Sequence, residues 1–76
     1  MSHRLRVAVV GTGEWWGREH ARLFAGRPDT ELCAIVGRTP AKTEARATEF
    51  GTRGYTDLNR MLEVERPDLV SVCLPN

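Results

Sequence analysis

"VAVVGTGEWWGREHARLFAG", Val7–Gly26, decides how this chain is read. A valine-rich run breaks at Gly11 and Gly13, two tryptophans follow, and helix-forming residues take over. The helix is expected over Glu14 to Ala25, because Gly26 and then Pro28 supply the usual end punctuation. Trp16, Leu23 and Phe24 could share one face of it with His20. A buried strand, a glycine turn and a helix start in succession make an anion site. The helix N-terminus offers unpaired N–H groups and the positive end of its dipole, and glycine leaves the backbone bare for close approach.

Working outward, two further apolar runs resemble Leu5 to Val10: Glu31 to Val36 and Asp68 to Leu74. None alternates strictly with polar residues, which is how strands buried on both faces of a parallel sheet read. A weaker extended piece around Tyr55 suits an edge strand. A second helix is expected from the N-cap Thr39 and Pro40 to Phe50, with Gly51 as a left-handed cap. A third is expected from about Asp57 to Val64, capped by Thr56 or Asp57 and stopped by Pro67. Its apolar residues Leu58, Met61 and Leu62 fall at i, i+3, i+4. The order β-α-β-α-β-α-β predicts an α/β fold: half of a doubly wound parallel sheet, Rossmann-like, with strand order 3-2-1-4 and helices on both faces. After a fourth strand ending in "CLPN", Val70, Val72 and Leu74 would line an open edge. The 76 residues are therefore expected to be an incomplete N-terminal dinucleotide-binding domain.

Composition narrows the classes. The chain is 41% hydrophobic and 28% charged, as in an ordered globular domain. Eleven basic residues against ten acidic ones give a net charge of +1, so nothing favours nucleic acid or an anionic membrane. No apolar run approaches the roughly 20 residues of a membrane helix. The start lacks the shape of a signal peptide. Cys33 and Cys73 are far apart, each within an apolar run, and read as buried reduced thiols rather than metal ligands or a disulfide framework. Reduced thiols suit the cytoplasm.

In the glycine loop, Gly11 is expected to make the tight turn, Gly13 to leave room for a pyrophosphate, and Gly17 to let helix and strand pack closely. The spacing is G-x-G-x-x-x-G, one residue longer than the dinucleotide fingerprint G-x-G-x-x-G. The extra residue lies among Glu14, Trp15 and Trp16. We assign Gly11, Thr12, Gly13, Glu14, Trp15 and Trp16 to the cofactor site. Within it, Trp16 is read as core packing and Trp15 as a ring at the edge of the groove. Glu14 suits the helix dipole but repels phosphate, so its carboxylate is expected to face solvent.

A dinucleotide fold that prefers NAD usually carries Asp or Glu at the end of its second strand, to accept from the adenine ribose hydroxyls. Here that place reads Gly37, Arg38, Thr39. No negative charge is left to repel a 2′-phosphate. Arg38 can hold one in a bidentate, charge-assisted way or stack on adenine. Thr39 can donate its hydroxyl, and Lys42 lies one helical turn on. NADP is therefore favoured over NAD.

With "VAVVGTGEWWGREHARLF", "IVGRTPAKTEARATEFG", "GYTDLNRMLE" and "RPDLVSVCLPN", nearly the whole chain resembles the N-terminal domain of the Gfo/Idh/MocA oxidoreductases. The resemblance implies NAD(P)-dependent hydride transfer on sugars, cyclitols or related hydroxyl compounds. It implies that Leu74, Pro75 and Asn76 line the nicotinamide side. It places the family's catalytic lysine and histidine beyond Asn76, so no catalytic residue is assigned here and the 76 residues alone are not expected to catalyse. Substrate binding, and assembly into a homo-oligomer, would fall to a C-terminal domain. His20 is read as a packed helix residue and His3 as solvent-exposed. Two other readings stay open: a non-catalytic NAD(P)-binding or regulatory module, and a methyltransferase using S-adenosylmethionine. The latter usually wants the acid that Gly37 replaces.

Overall fold

A computed structural model of the chain describes residues 4–11 and 16–73, Trp16 through its backbone alone. Among them the elements are β1 (Leu5–Val10), α1 (Trp16–Gly26), β2 (Thr30–Val36), α2 (Pro40–Glu49), β3 (Arg53–Tyr55), α3 (Leu58–Glu65) and β4 (Leu69–Val72). The four strands are parallel and lie in the order β3-β2-β1-β4, as expected. None of the described helices is long and apolar enough to cross a membrane.

Two small apolar clusters hold the layers together. Val9 and Ile35 pack with Ala21 of α1, joined by Phe24, Leu32, Phe50 and Cys73. Ala8, Cys33, Ala34 and Val36 pack with Met61 of α3, joined by Val10, Tyr55 and Val70. Helices thus cover both faces. Ile35, Met61, Val7 and Val9 are fully buried, each stabilising the fold by about 1.5–3 kcal/mol.

The switch between clusters comes from a β-bulge. Val7 of β1 pairs with Leu32, but Ala8 pairs with Ala34, so Cys33 is an extra residue in β2. Leu32 and Ile35 therefore face the same helix although they are three apart, and Cys33 and Ala34 both join the cluster of Met61.

The ends of the helices follow their punctuation with local differences. Pro40 opens α2 behind Thr39, but the Thr39 hydroxyl makes no cap bond. Gly51 is left-handed, with φ 64°. Asp57, not Thr56, caps α3, its carboxylate accepting from the N–H groups of Asn59 and Arg60. Arg66 is left-handed at φ 47° and ends α3 just before Pro67. The helix α1 runs one residue further than expected, to Gly26, and Leu23 is exposed. In α3 only Met61 of the expected apolar trio is buried; Leu58 and Leu62 remain exposed. The strand β4 is shorter than expected, since Asp68 serves as its anchor. The Asp68 carboxylate accepts from Arg6 N at 2.8 Å, and Asp68 N donates to Arg6 O at 2.8 Å.

A polar cluster ties α3 beneath the sheet. Glu65, with its side chain only 4% exposed, accepts from Arg6 Nη2 at 2.9 Å, from Arg53 Nη1 at 3.1 Å and from the Tyr55 phenol. Arg6 also pairs with Glu31 at 2.6 Å and donates to the main-chain carbonyl of Glu65. Burial alone would raise the Glu65 carboxyl; the phenol and the two guanidiniums outweigh it and hold the carboxyl below its ordinary value.

Candidate functional site

The carboxyl ends of the strands form one row. Gly11 N donates to Val36 O at 2.8 Å, Cys73 N to Val10 O at 2.8 Å, and Gly37 N to Tyr55 O at 3.0 Å. Each bond carries a parallel ladder one residue past the strand end. Gly11, Gly37 and Cys73 are thereby set side by side. Because β1 lies between β2 and β4, the chain leaves β1 in one direction and returns on its other side. The crevice beyond such a reversal is where open α/β sheets bind ligands.

Gly11 has φ 128°, a conformation that L side chains rarely adopt. A Cβ there would lie 2.3 Å from Cys73 O and 3.1 Å from its carbonyl carbon. The glycine is thus required by the backbone of β4 as well as by the turn, a role its sequence context did not indicate. Gly17, the last glycine of the loop, is buried in the first turn of α1. Thr12, Gly13, Glu14, Trp15 and the side chain of Trp16 lie outside the described residues, as do Leu74, Pro75 and Asn76.

On the β2 side, Gly37 is half-buried and is followed by exposed Arg38 and Thr39 at the start of α2, with exposed Lys42 beyond. Among the described residues neither Arg38 nor Lys42 has an ion-pair partner. The segment between β2 and α2, residues 37–39, contains no carboxylate. This edge fits an anionic nucleotide: Gly11 and Gly37 leave room beside the main chain, and a guanidinium, a hydroxyl and an ammonium are the donors.

Two side-chain groupings had no local signal. Glu65 lies in a charged stretch of sequence, and Arg6 and Arg53 meet it only across the fold. His20 and Cys73, read separately as a packed helix residue and a buried thiol, are neighbours: Nδ1 of His20 lies 3.1 Å from Cys73 Sγ and 3.1 Å from Ser71 Oγ. Cys73 is half-buried rather than buried, whereas Cys33 is buried; both are free thiols. No group of three or more His, Cys, Asp or Glu that could hold a metal occurs among the described residues.

Comparison with known proteins agrees with this geometry. A family model described as "Oxidoreductase family, NAD-binding Rossmann fold" matches residues 5–76. The chain is 37% identical over 76 residues to D-glucoside 3-dehydrogenase of Escherichia coli (strain K12), covering 99% of this chain and 22% of that protein. The crystal structure of GenD2 from gentamicin A biosynthesis, in complex with NAD, superposes with a TM-score of 0.89 at 36% identity, covering 99% of this chain and 21% of that one. A variant 3-ketoreductase from Actinomadura kijaniata, in complex with TDP-benzene and NADP, gives 0.84 at 27% identity, covering 96% of this chain and 23% of that one. The chain thus spans about a fifth of the length of the relatives it matches. The methyltransferase reading falls with these matches. Strand order, the crevice beyond β1 and the family match converge: the chain belongs to the Gfo/Idh/MocA oxidoreductases, as their NAD-binding Rossmann domain.

Proposed function

We propose that this chain is the NADP(H)-binding, N-terminal unit of a longer oxidoreductase that transfers hydride to or from a sugar, cyclitol or related hydroxyl compound. The main-chain N–H groups at Thr12 and Gly13 and the start of α1 hold the diphosphate. Gly11, whose own N–H is taken by Val36 O, makes the turn that brings it close, and Glu14, Trp15 and Trp16 lie along its rim. Gly37 lets the adenosine ribose approach the end of β2. Arg38, Thr39 and Lys42 take its 2′-phosphate. Leu74, Pro75 and Asn76 border the nicotinamide, which supplies the hydride chemistry when bound. Substrate recognition and assembly into a homo-oligomer belong to the part of the protein beyond residue 76.

The observation that carries the preference for NADP is the edge between β2 and α2. The first side chain there is the exposed Arg38, and no carboxylate accompanies it. Among the relatives, GenD2 was crystallised with NAD and the Actinomadura 3-ketoreductase with NADP, so the preference rests on this chain's own residues. Calorimetric titration of NADPH and NADH into the full-length protein tests it. NADPH is expected to bind roughly tenfold tighter, about 1.4 kcal/mol. Tighter binding of NADH overturns the preference, and binding of neither overturns the site.

A further inference from the structure

We propose that Cys73 is a modification site: a thiol set against the imidazole of His20, which a hydroperoxide oxidises to a sulfenic acid with loss of dinucleotide affinity. Ser71 and Cys73 are two apart at the end of β4, so their side chains leave the same face of the sheet. His20 of α1 meets both, its Nδ1 lying 3.1 Å from Cys73 Sγ and 3.1 Å from Ser71 Oγ. The two β4 side chains are themselves 3.7 Å apart. A ring nitrogen at that distance is placed to take the thiol proton as the sulfur attacks, and the hydroxyl helps to aim the ring.

Cys33 provides the contrast within the same chain. It is 7% exposed and packed with Ala8, Ala34, Val36 and Met61, and burial pushes its thiol up. Cys73 is half-buried, packed beside Val9, Ala21 and Ile35 but with His20 and Ser71 as polar neighbours.

The step balances. The Cys73 sulfur attacks one peroxide oxygen and the O–O bond breaks. Sulfur loses two electrons and becomes S–OH. The departing oxygen takes the proton that His20 accepted and leaves as water, or as an alcohol from an organic hydroperoxide.

The loss of affinity rests on the proposed cofactor site. The Cys73 carbonyl fills the space where a Cβ on Gly11 would be, 2.3 Å away. An oxygen added to Sγ replaces its contact with His20 Nδ1, and the residue that carries it abuts the Gly11 turn through its own carbonyl, so the change is transmitted to that turn.

The test treats full-length protein with hydrogen peroxide and traps sulfenic acid with a 1,3-dione, followed by peptide mass analysis. Cys73 is expected to label at least roughly tenfold faster than Cys33, and His20→Asn to slow Cys73 by a similar factor while Cys33 is unchanged. NADPH affinity should fall roughly fivefold or more after oxidation, and the affinity of Cys73→Ser should be insensitive to peroxide. Equal labelling of the two cysteines overturns the assignment, as does unchanged NADPH affinity in fully oxidised protein. The labelling ratio is measured on the unsubstituted protein, so it decides whether or not His20→Asn folds. If unoxidised protein binds neither coenzyme, the proposed cofactor site fails, and the labelling ratio still decides the role of Cys73.

Discussion

Tyr55, at the end of β3, donates its phenolic proton to Glu65, a carboxylate that the fold has taken out of water. The bond joins an edge strand to the last turn of α3. The two guanidiniums on the same carboxylate, from Arg6 and Arg53, compensate the cost of burying it. Removing the acid leaves the phenol and the guanidiniums without their acceptor. Glu65→Ala is expected to cost about 3 kcal/mol, and Tyr55→Phe about 1 kcal/mol, measured by urea unfolding. The pH dependence has a definite sign. The folded carboxyl titrates below its ordinary value of 4.5, so its stabilisation is fully present above that pH and is lost as pH falls through the depressed value. Glu65→Gln should flatten the acid side of the stability profile, and an unchanged acid side would contradict the account.

The turn at Gly11 cannot accommodate a methyl group. Both its φ of 128° and the Cys73 carbonyl oppose one, and the obstacle is main chain rather than a flexible side chain. Gly11→Ala should destabilise the protein by about 2–3 kcal/mol and weaken coenzyme binding as well. Thermal unfolding without ligand separates the two effects, because it registers the clash alone.

Asp57 caps α3 through Oδ1, at 2.9 Å from Asn59 N and 3.3 Å from Arg60 N. Asp57→Ala should cost about 1 kcal/mol and Asp57→Ser much less, since serine also caps. Equal losses in the two variants, read from the urea midpoint, would remove capping as the reason for aspartate at this position.

Arg38 is expected to discriminate between the coenzymes. Arg38→Ala should weaken NADPH by roughly 1.5–3 kcal/mol, the range for hydrogen bonds to charged groups, and NADH far less. Calorimetry on the full-length protein gives both values. Matching losses would mean that the guanidinium stacks on adenine rather than holding a phosphate.

Most of the architecture was legible because it is written locally. The run Leu5–Val10 was read with its observed bounds, and Pro40, Gly51, Asp57 and Pro67 mark helix boundaries through chemistry that needs no distant partner. What escaped depends on the fold. A strand buried on both faces shows no polar alternation, so nothing in "ELCAIV" reveals the extra residue at Cys33. Glu65 lies in the charged stretch "EVERPD"; Arg6, its partner 59 positions away, is what makes it a buried residue. His20 and Cys73 are separated by 53 positions and become neighbours only once β4 lies beside β1. Of the proposed cofactor residues, Gly11, Gly37, Arg38, Thr39 and Lys42 fall on the described carboxyl edge. The glycine spacing pointed to that edge, but not to the contact between Gly11 and Cys73.

The surplus residue in β2 has a consequence for how this sequence tolerates length changes. Upstream of Cys33 the strand alternates in one phase and downstream in the other. Excising Cys33 would leave Leu32 and Ile35 two apart, on the face they already share, and put β2 in unbroken register with β1. Excising Ala8 from β1, which carries no surplus residue, would turn Val7 or Val9 to the opposite face of the sheet, and relaxation of side chains could not restore the parity. A one-codon deletion at Cys33 should therefore be borne far better than one at Ala8, a contrast that a scan of single deletions through β1 and β2 would expose.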